Sequence, residues 1–315
     1  MLNAPVLSAN ASLSAGASLG VPASDPAPLE TSERGWTWWL GAAFSLAVLV
    51  AVLVQLRSVD FSEVRDLLPT APLFWLVFAV SYLSAPFADW LIFRRLWAMP
   101  ISGLGALLRK LIGNELLFGY AGELYLYTWA RRRTAMTSAP FGAIKDVAIL
   151  SALAANAVTI GMLAIAYPLL GALHLGLDSK TLLLSTALVL ASSSAILLFR
   201  KTLFSLPRRD LWFVTGIHLA RIFIGGALTA FCWHLVLPEV SIQWWLLLSA
   251  LRMLLSRLPL LPNKDIVFAG LAVFLIGHDA DIGALMTMMA SVILATHLGL
   301  GVALVAADAA NWRRR

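Results

Sequence analysis

Apolar residues in this chain do not alternate with polar ones. They fall in long unbroken runs, and the polar positions gather between them. A run of about 20 apolar residues crosses roughly 30 Å of hydrocarbon as a helix. In lipid the backbone has no other partner, so such runs must be helical. The pattern predicts spans at Trp36–Leu56, Pro72–Phe93, Asp146–Leu170, Thr181–Phe199, Leu211–Leu237, Trp244–Leu258 and Ile282–Ala307, with a short apolar piece at Ile266–Gly277. The expected class is all-α: a polytopic integral membrane protein of about eight transmembrane helices, with a re-entrant hairpin and a second broken helix.

Two stretches interrupt the pattern. The first is "LIGNELLFGYAGELYLYTWARRR", residues 111 to 133, with Asn114, Glu115 and Glu123 inside an apolar run and Gly119 and Gly122 between them. Residues 101–129 read as the hairpin. "ISGLGALLRKLIG" climbs in and "ELLFGYAGELYLYTW" returns, each arm about half a membrane long at ~1.5 Å per residue. Re-entrant backbone persists only where protein or water surrounds it, so this segment is expected to line an internal cavity. The second stretch is "LPLLPNKD", where Pro259 and Pro262 end a helix and precede Asn263, Lys264 and Asp265. One interruption in each half is the pattern of transporters built from repeats, although no clear sequence repeat is visible.

Charge orients the spans. Arg94 and Arg95, Arg131 to Arg133, the "FRKTLFSLPRRD" segment and the terminal "WRRR" are basic clusters, while loops 57–71, 171–180 and 238–243 are neutral or acidic. Keeping the basic clusters inside places both termini in the cytoplasm after eight crossings. This path requires 101–129 to enter and leave on one side and Ile266–Gly277 to cross or nearly cross. Residues 1–30, rich in Ala and Ser, read as a disordered tail with no signal peptide, and 31–315 as the membrane domain.

Composition supports the class. Hydrophobic residues make up 60% of the 315 and charged residues 13%, against roughly 25% charged in ordinary soluble domains. The mean hydropathy is +0.84. The net charge of +6 is read as topology, with anionic lipid headgroups as a secondary partner and no nucleic-acid partner expected. A single cysteine, Cys232, excludes an internal disulfide or a cysteine-based metal cluster. The histidines show no paired ligand spacing, and no metal or other cofactor is expected. No GxSxG, Walker A or HExxH motif occurs, so an enzyme is not expected.

The candidate chemistry lies in charged residues within apolar runs, which are costly there and functional by default. Glu115 and Glu123 are candidates for substrate or proton handling, with Arg109 or Lys110 nearby; the alternative is an ion-paired lock on the hairpin. Arg221 sits about ten residues into the fifth span, beyond easy snorkelling, and needs a partner among Glu115, Glu123, Asp265 or a lipid phosphate. His218, one turn earlier, shapes the same pocket or simply packs. Lys145 and Asp146 read as an interfacial pair at a helix start, and Asp89 as the neutraliser of Arg94 or Arg95. Asp265 can cap the next short helix, and that N-terminus with Lys264 suits an anionic headgroup; the alternative is a simple loop.

The "GYAGE" of Gly119–Glu123 before a basic cluster, the charged Lys145–Asp146 pair, and "LPLLPNKD" before a short and then a long helix together resemble the lysylphosphatidylglycerol synthase transmembrane-region family, also called flippase-like proteins. The resemblance covers about residues 36 to 310. It implies an eight-crossing domain that handles phospholipids, similar to a translocator of aminoacylated phosphatidylglycerol. The aminoacyl-transferase domain that such members add is not expected in this chain. The sequence departs from the pattern at Tyr125 and Tyr127, where an Arg is usual, and at Asn263–Asp265, where glycines and a following Glu are usual.

The expected function is an inner-membrane lipid translocator. Arg109, Arg221 and Lys264 would contact the headgroup, and Asn114, Glu115, Glu123 and Asp265 would line the groove. Two alternatives stand beside it. One is a membrane-embedded transferase, or its subunit, acting on a lipid or polyprenyl carrier with Glu123 or Asp265 as base. The other is a scaffold. Expected partners are membrane lipids with polar or anionic headgroups and a lipid-modifying enzyme.

Overall fold

A computed structural model of the chain describes residues 68–117, 121–133, 140–170, 179–257 and 279–313, with isolated positions at 43, 46, 50, 268, 271, 272 and 274–276. Every regular element among them is helical. The helices are α1 (Pro72–Trp97), α2 (Leu104–Leu116), α3 (Ala121–Arg133), α4 (Pro140–Leu170), α5 (Ser179–Leu198), the single turn α6 (Arg200–Leu203), α7 (Arg208–Val236), α8 (Ile242–Arg257) and α9 (Asp279–Arg313).

Among the described residues, four segments are long and apolar enough to cross a membrane: Pro72–Trp97, Phe141–Ala164, Arg208–Val236 and Ile282–Ala307. Leu183–Ile196 is a shorter apolar helix, and α8 has 16 residues. The regular structure of the described residues is therefore all helical, with several helices able to span a bilayer. The expected span Trp36–Leu56, the piece Ile266–Gly277 and the tail 1–30 lie wholly or largely outside the described residues.

The outward faces suit a hydrocarbon solvent. On α1, Leu73, Leu76, Val80, Leu83 and Phe87 recur at helical spacing, and each is 46–62% exposed. On α7, Trp212, Phe223 and Ile224 are exposed in the same way. A water-soluble helix would carry polar residues on that face. The inward face of α1 buries Phe74, Val77, Phe78, Trp90, Ile92 and Phe93.

α1 and α7 are antiparallel neighbours. At one end Phe74 packs in a cluster with Trp233, Trp245, Val240 and Leu248, and Trp233 meets Trp245 edge-on at 5.8 Å. At the other end Arg95 on α1 binds Asp210 at 2.9 Å and lies over Phe213. That end collects Arg94, Arg95, Lys145, Arg208 and Arg209, in keeping with one basic side to the bundle.

α1 stops for a local reason. Ala98 takes a left-handed conformation (φ 52°), the Met99 N–H reaches back to the Phe93 carbonyl, and Pro100 follows. This is a helix-terminating turn of the kind that usually uses glycine. Within α1, Pro86 removes the hydrogen bond its N–H would give to the Tyr82 carbonyl.

Several boundaries differ from expectation. α4 begins at Pro140, not near Asp146, so Asp146 lies well inside the helix. The break in 101–133 falls after Leu117 rather than near Asn114, which puts Asn114 and Glu115 at the end of the first arm. Leucines 116 and 117 continue the apolar pattern through the polar pair, and the helix follows them.

Candidate functional site

α2 and α3 pack directly against each other, and Gly122 sets their distance. A β-carbon at Gly122 would stand 2.1 Å from the Lys110 carbonyl oxygen, so no other residue fits. Gly122 is also in the first turn of α3, where N–H groups lack partners within the helix. Asn114 supplies one: its Oδ1 accepts from the Gly122 N–H at 2.7 Å. Asn114 is thus a cap provided by one arm for the other.

This close approach delivers Lys110 to the inside of the bundle. Its ammonium donates to Asp89 Oδ2 on α1 at 2.6 Å and lies 3.4 Å from Glu123 Oε1 on α3. Asp89 is only 6% exposed. A buried ammonium between two carboxylates satisfies the rule that buried charges must be paired. The single lysine therefore ties three helices together.

α7 completes the cluster. Arg221 and His218, one turn apart, lie within electrostatic reach of Asp89 and Lys110. Arg221 Nη2 donates to Ser151 Oγ on α4 at 3.0 Å. His218 is 1% exposed, and its Nε2 lies 3.2 Å from the Val147 carbonyl on α4. A carbonyl only accepts, so Nε2 carries the ring proton and Nδ1 presents a bare lone pair. Fully ionised, the two acids and two bases balance. Two acceptors remain over: among the described residues, Glu123 Oε2 and His218 Nδ1 are buried without a hydrogen-bond partner.

No protein-family model, curated protein or solved structure matches this chain.

Glu123 meets Lys110, one of the two cations expected near it, at 3.4 Å, whereas Arg221 is within electrostatic reach of Asp89 and Lys110; the pairing of Lys110 with Asp89 was not expected. Asp89 does not neutralise Arg94 or Arg95. Arg94 instead lies over the Trp90 ring and Arg95 pairs with Asp210. Arg221 takes Ser151 as its hydrogen-bond partner rather than a carboxylate. Arg109 points to the other side of α2, donating to the Gly105 and Leu304 carbonyls at 3.1 and 3.2 Å. Glu115 is exposed and apart from the cluster, near Tyr82. Lys264 and Asp265 lie outside the described residues. An intramembrane Asp and Lys in neighbouring apolar segments were the available signal for the missed pair.

A second polar assembly holds the basic end. Asp146 is fully buried. Its Oδ2 accepts from the Ser205 N–H at 2.7 Å, the Ser205 hydroxyl at 3.0 Å and the Leu206 N–H at 2.8 Å. Lys145 lies 3.4 Å from Asp146 Oδ1 and donates to the Leu203 carbonyl. The pair is not a simple interfacial ion pair: it fastens the link between α6 and α7 onto α4. Ser192 and Ser193 in α5 donate locally to the Val189 carbonyl, which satisfies their hydroxyls inside an apolar helix.

Proposed function

We propose that this protein is an inner-membrane lipid translocator of the flippase-like type, moving a polar-headgroup lipid between leaflets through a charged intramembrane groove. The observation that carries the proposal is the Asp89–Lys110–Glu123–Arg221 cluster inside a bundle of lipid-facing helices. A bare headgroup passing through oil costs many kcal/mol, and fixed charges along its path lower that barrier without covalent chemistry. Charged groups at membrane depth are retained where a pathway needs them. The leftover acceptor on Glu123 offers a headgroup donor a place to bind. In this reading α2 and α3 form the re-entrant hairpin, eight segments cross, and both termini and the basic end face the cytoplasm. The resemblance to the lysylphosphatidylglycerol synthase transmembrane region supports the same reading.

The test is a leaflet-resolved assay of labelled phospholipid in proteoliposomes. Wild type is expected to speed equilibration between leaflets, and Glu123→Gln to slow it at least tenfold. Equal rates for the two would remove the cluster from the mechanism. A deletion that alters lipid masses but not leaflet distribution would favour the alternative, a transferase acting on a lipid or polyprenyl carrier.

A further inference from the structure

Away from the Lys110 cluster, Arg252 sets a cation against the aromatic core. It lies on α8, which runs antiparallel to α7: Trp233 meets Trp245 at 5.8 Å, and the Ser249 hydroxyl donates to the Gly226 carbonyl at 2.9 Å. Arg252 follows Ser249 by about one turn, which puts it level with roughly the middle of α7 (Arg208–Val236). The side chain is partly buried, and Leu251, Leu254 and Leu255 around it are buried. Its guanidinium carbon lies 6.0 Å from the centre of the Trp233 ring and 5.7 Å from that of Phe268. The two rings are themselves 6.0 Å apart, and their residues are 0% and 2% exposed.

Ring faces balance part of the positive charge, but they leave the guanidinium N–H groups without oxygen partners. Other arginines in the bundle have such partners: Arg221 donates to Ser151 Oγ, and Arg109 to the Gly105 and Leu304 carbonyls. Arg252 donates to no oxygen among the described residues. Trp233 repeats the shortage. Its Nε1–H is buried with no acceptor among the described residues, whereas the neighbouring Trp245 donates to the Leu237 carbonyl at 3.4 Å. A guanidinium and an indole N–H can only donate. The two side chains therefore share one lack, an acceptor, and one of them also lacks a counter-charge. Both deficits are costly at membrane depth.

We propose that Arg252 and the Trp233 indole N–H bind a phosphate group, brought by an anionic phospholipid or by a soluble phosphate ester. A phosphate supplies the oxygens that both donors lack and the negative charge that the guanidinium lacks. The planar fork of Arg252 takes two of its oxygens at once, and the indole N–H takes an oxygen as well. The Trp233 and Phe268 rings hold the guanidinium in place for this. Phe223 and Ile224 on α7 and Leu246 and Leu247 on α8 are exposed and suit the acyl chains of a lipid. The inference rests on the membrane-spanning reading of α7 and α8, and it holds whether or not the lipid is moved.

The test is NMR of the full chain, isotope-labelled at tryptophan nitrogen, in nonionic detergent micelles. The Trp233 indole signal is the one lost in Trp233→Phe. Phosphatidylglycerol is expected to move it downfield, as an N–H gaining an oxygen acceptor does, and diacylglycerol, which lacks the phosphate, to leave it in place. Arg252→Gln should weaken phosphatidylglycerol binding roughly tenfold or more. Arg252→Lys keeps the charge but loses the fork, so it should weaken binding less, and it guards against a misfolded Gln variant. Glycerol phosphate separates the sources: if it moves the signal as the lipid does, the site takes a soluble ester, and if only the lipid does, the site belongs to the membrane. A Trp233 signal that neither probe moves overturns the proposal. So does phosphatidylglycerol binding that Arg252→Gln and Arg252→Lys leave unchanged. Asp265 is close to Phe268 in sequence; a Trp233 signal that shifts on Asp265→Asn with no phosphate added would make an acid of this chain the acceptor, and the proposal would fall. Lipid movement is not read here, so the outcome is separate from that of the translocation assay.

Discussion

Asp89 and Asp146 are both almost fully buried, yet they are held by different means. Asp146 is gripped by the link that follows a single helical turn: two main-chain N–H groups and a hydroxyl converge on Oδ2, while the part-exposed Lys145 lies farther off, 3.4 Å from Oδ1. Asp89 is held by a side chain: one lysine ammonium, shared with Glu123. Backbone donors cannot leave without unfolding the link, whereas an ammonium on a flexible stem can change partners. The first arrangement is a fastener and the second is able to rearrange. That difference is why the Lys110 cluster, rather than the Asp146 clamp, is the place to look for function.

The comparison can be broken most decisively at Asp89. Asp89→Leu leaves a buried ammonium with one partner and should destabilise the fold by about 3–5 kcal/mol. The double variant Asp89→Leu/Lys110→Met should regain much of the loss, read as thermal unfolding in detergent. If the double is no better than the single, Lys110 and Asp89 are not a unit. Asp146→Ala should cost about 3 kcal/mol by leaving two N–H groups of the link unpaired. Its mark should be new protease cleavage near residues 203–207, which Asp89→Leu should not produce. Gly122→Ala should cost roughly 2 kcal/mol through overpacking against the Lys110 carbonyl, and it should slow lipid equilibration if the hairpin is in the pathway. Arg95→Ala should be the mildest, below about 1 kcal/mol, because its bridge to Asp210 is partly exposed; a larger loss would mean the basic end is more than a topological signal.

Much of the architecture was legible in the runs of apolar residues, because membrane helices leave a strong one-dimensional signal. Pro72–Phe93, Leu211–Leu237 and Ile282–Ala307 each lie within or beside a long helix of the structure. Helix ends were less legible. Pro140 starts α4 well before its apolar run, and the arms of the hairpin part after Leu117 because leucines carry the helix past Asn114 and Glu115. The site was half legible. Charge in an apolar run flagged Glu123 and Arg221, but pairing depends on which helices touch, and no spacing encodes that. Lys110 was overshadowed by Arg109 beside it, although the two point to opposite sides of α2.

The contact between Gly122 and the Lys110 carbonyl carries one more implication. Backbone against backbone leaves α3 no room to slide or roll on α2, and Asn114 pins the same junction. The two helices are therefore locked to each other as one stiff unit. Any displacement of that unit away from α1 has to part the Lys110 ammonium from Asp89.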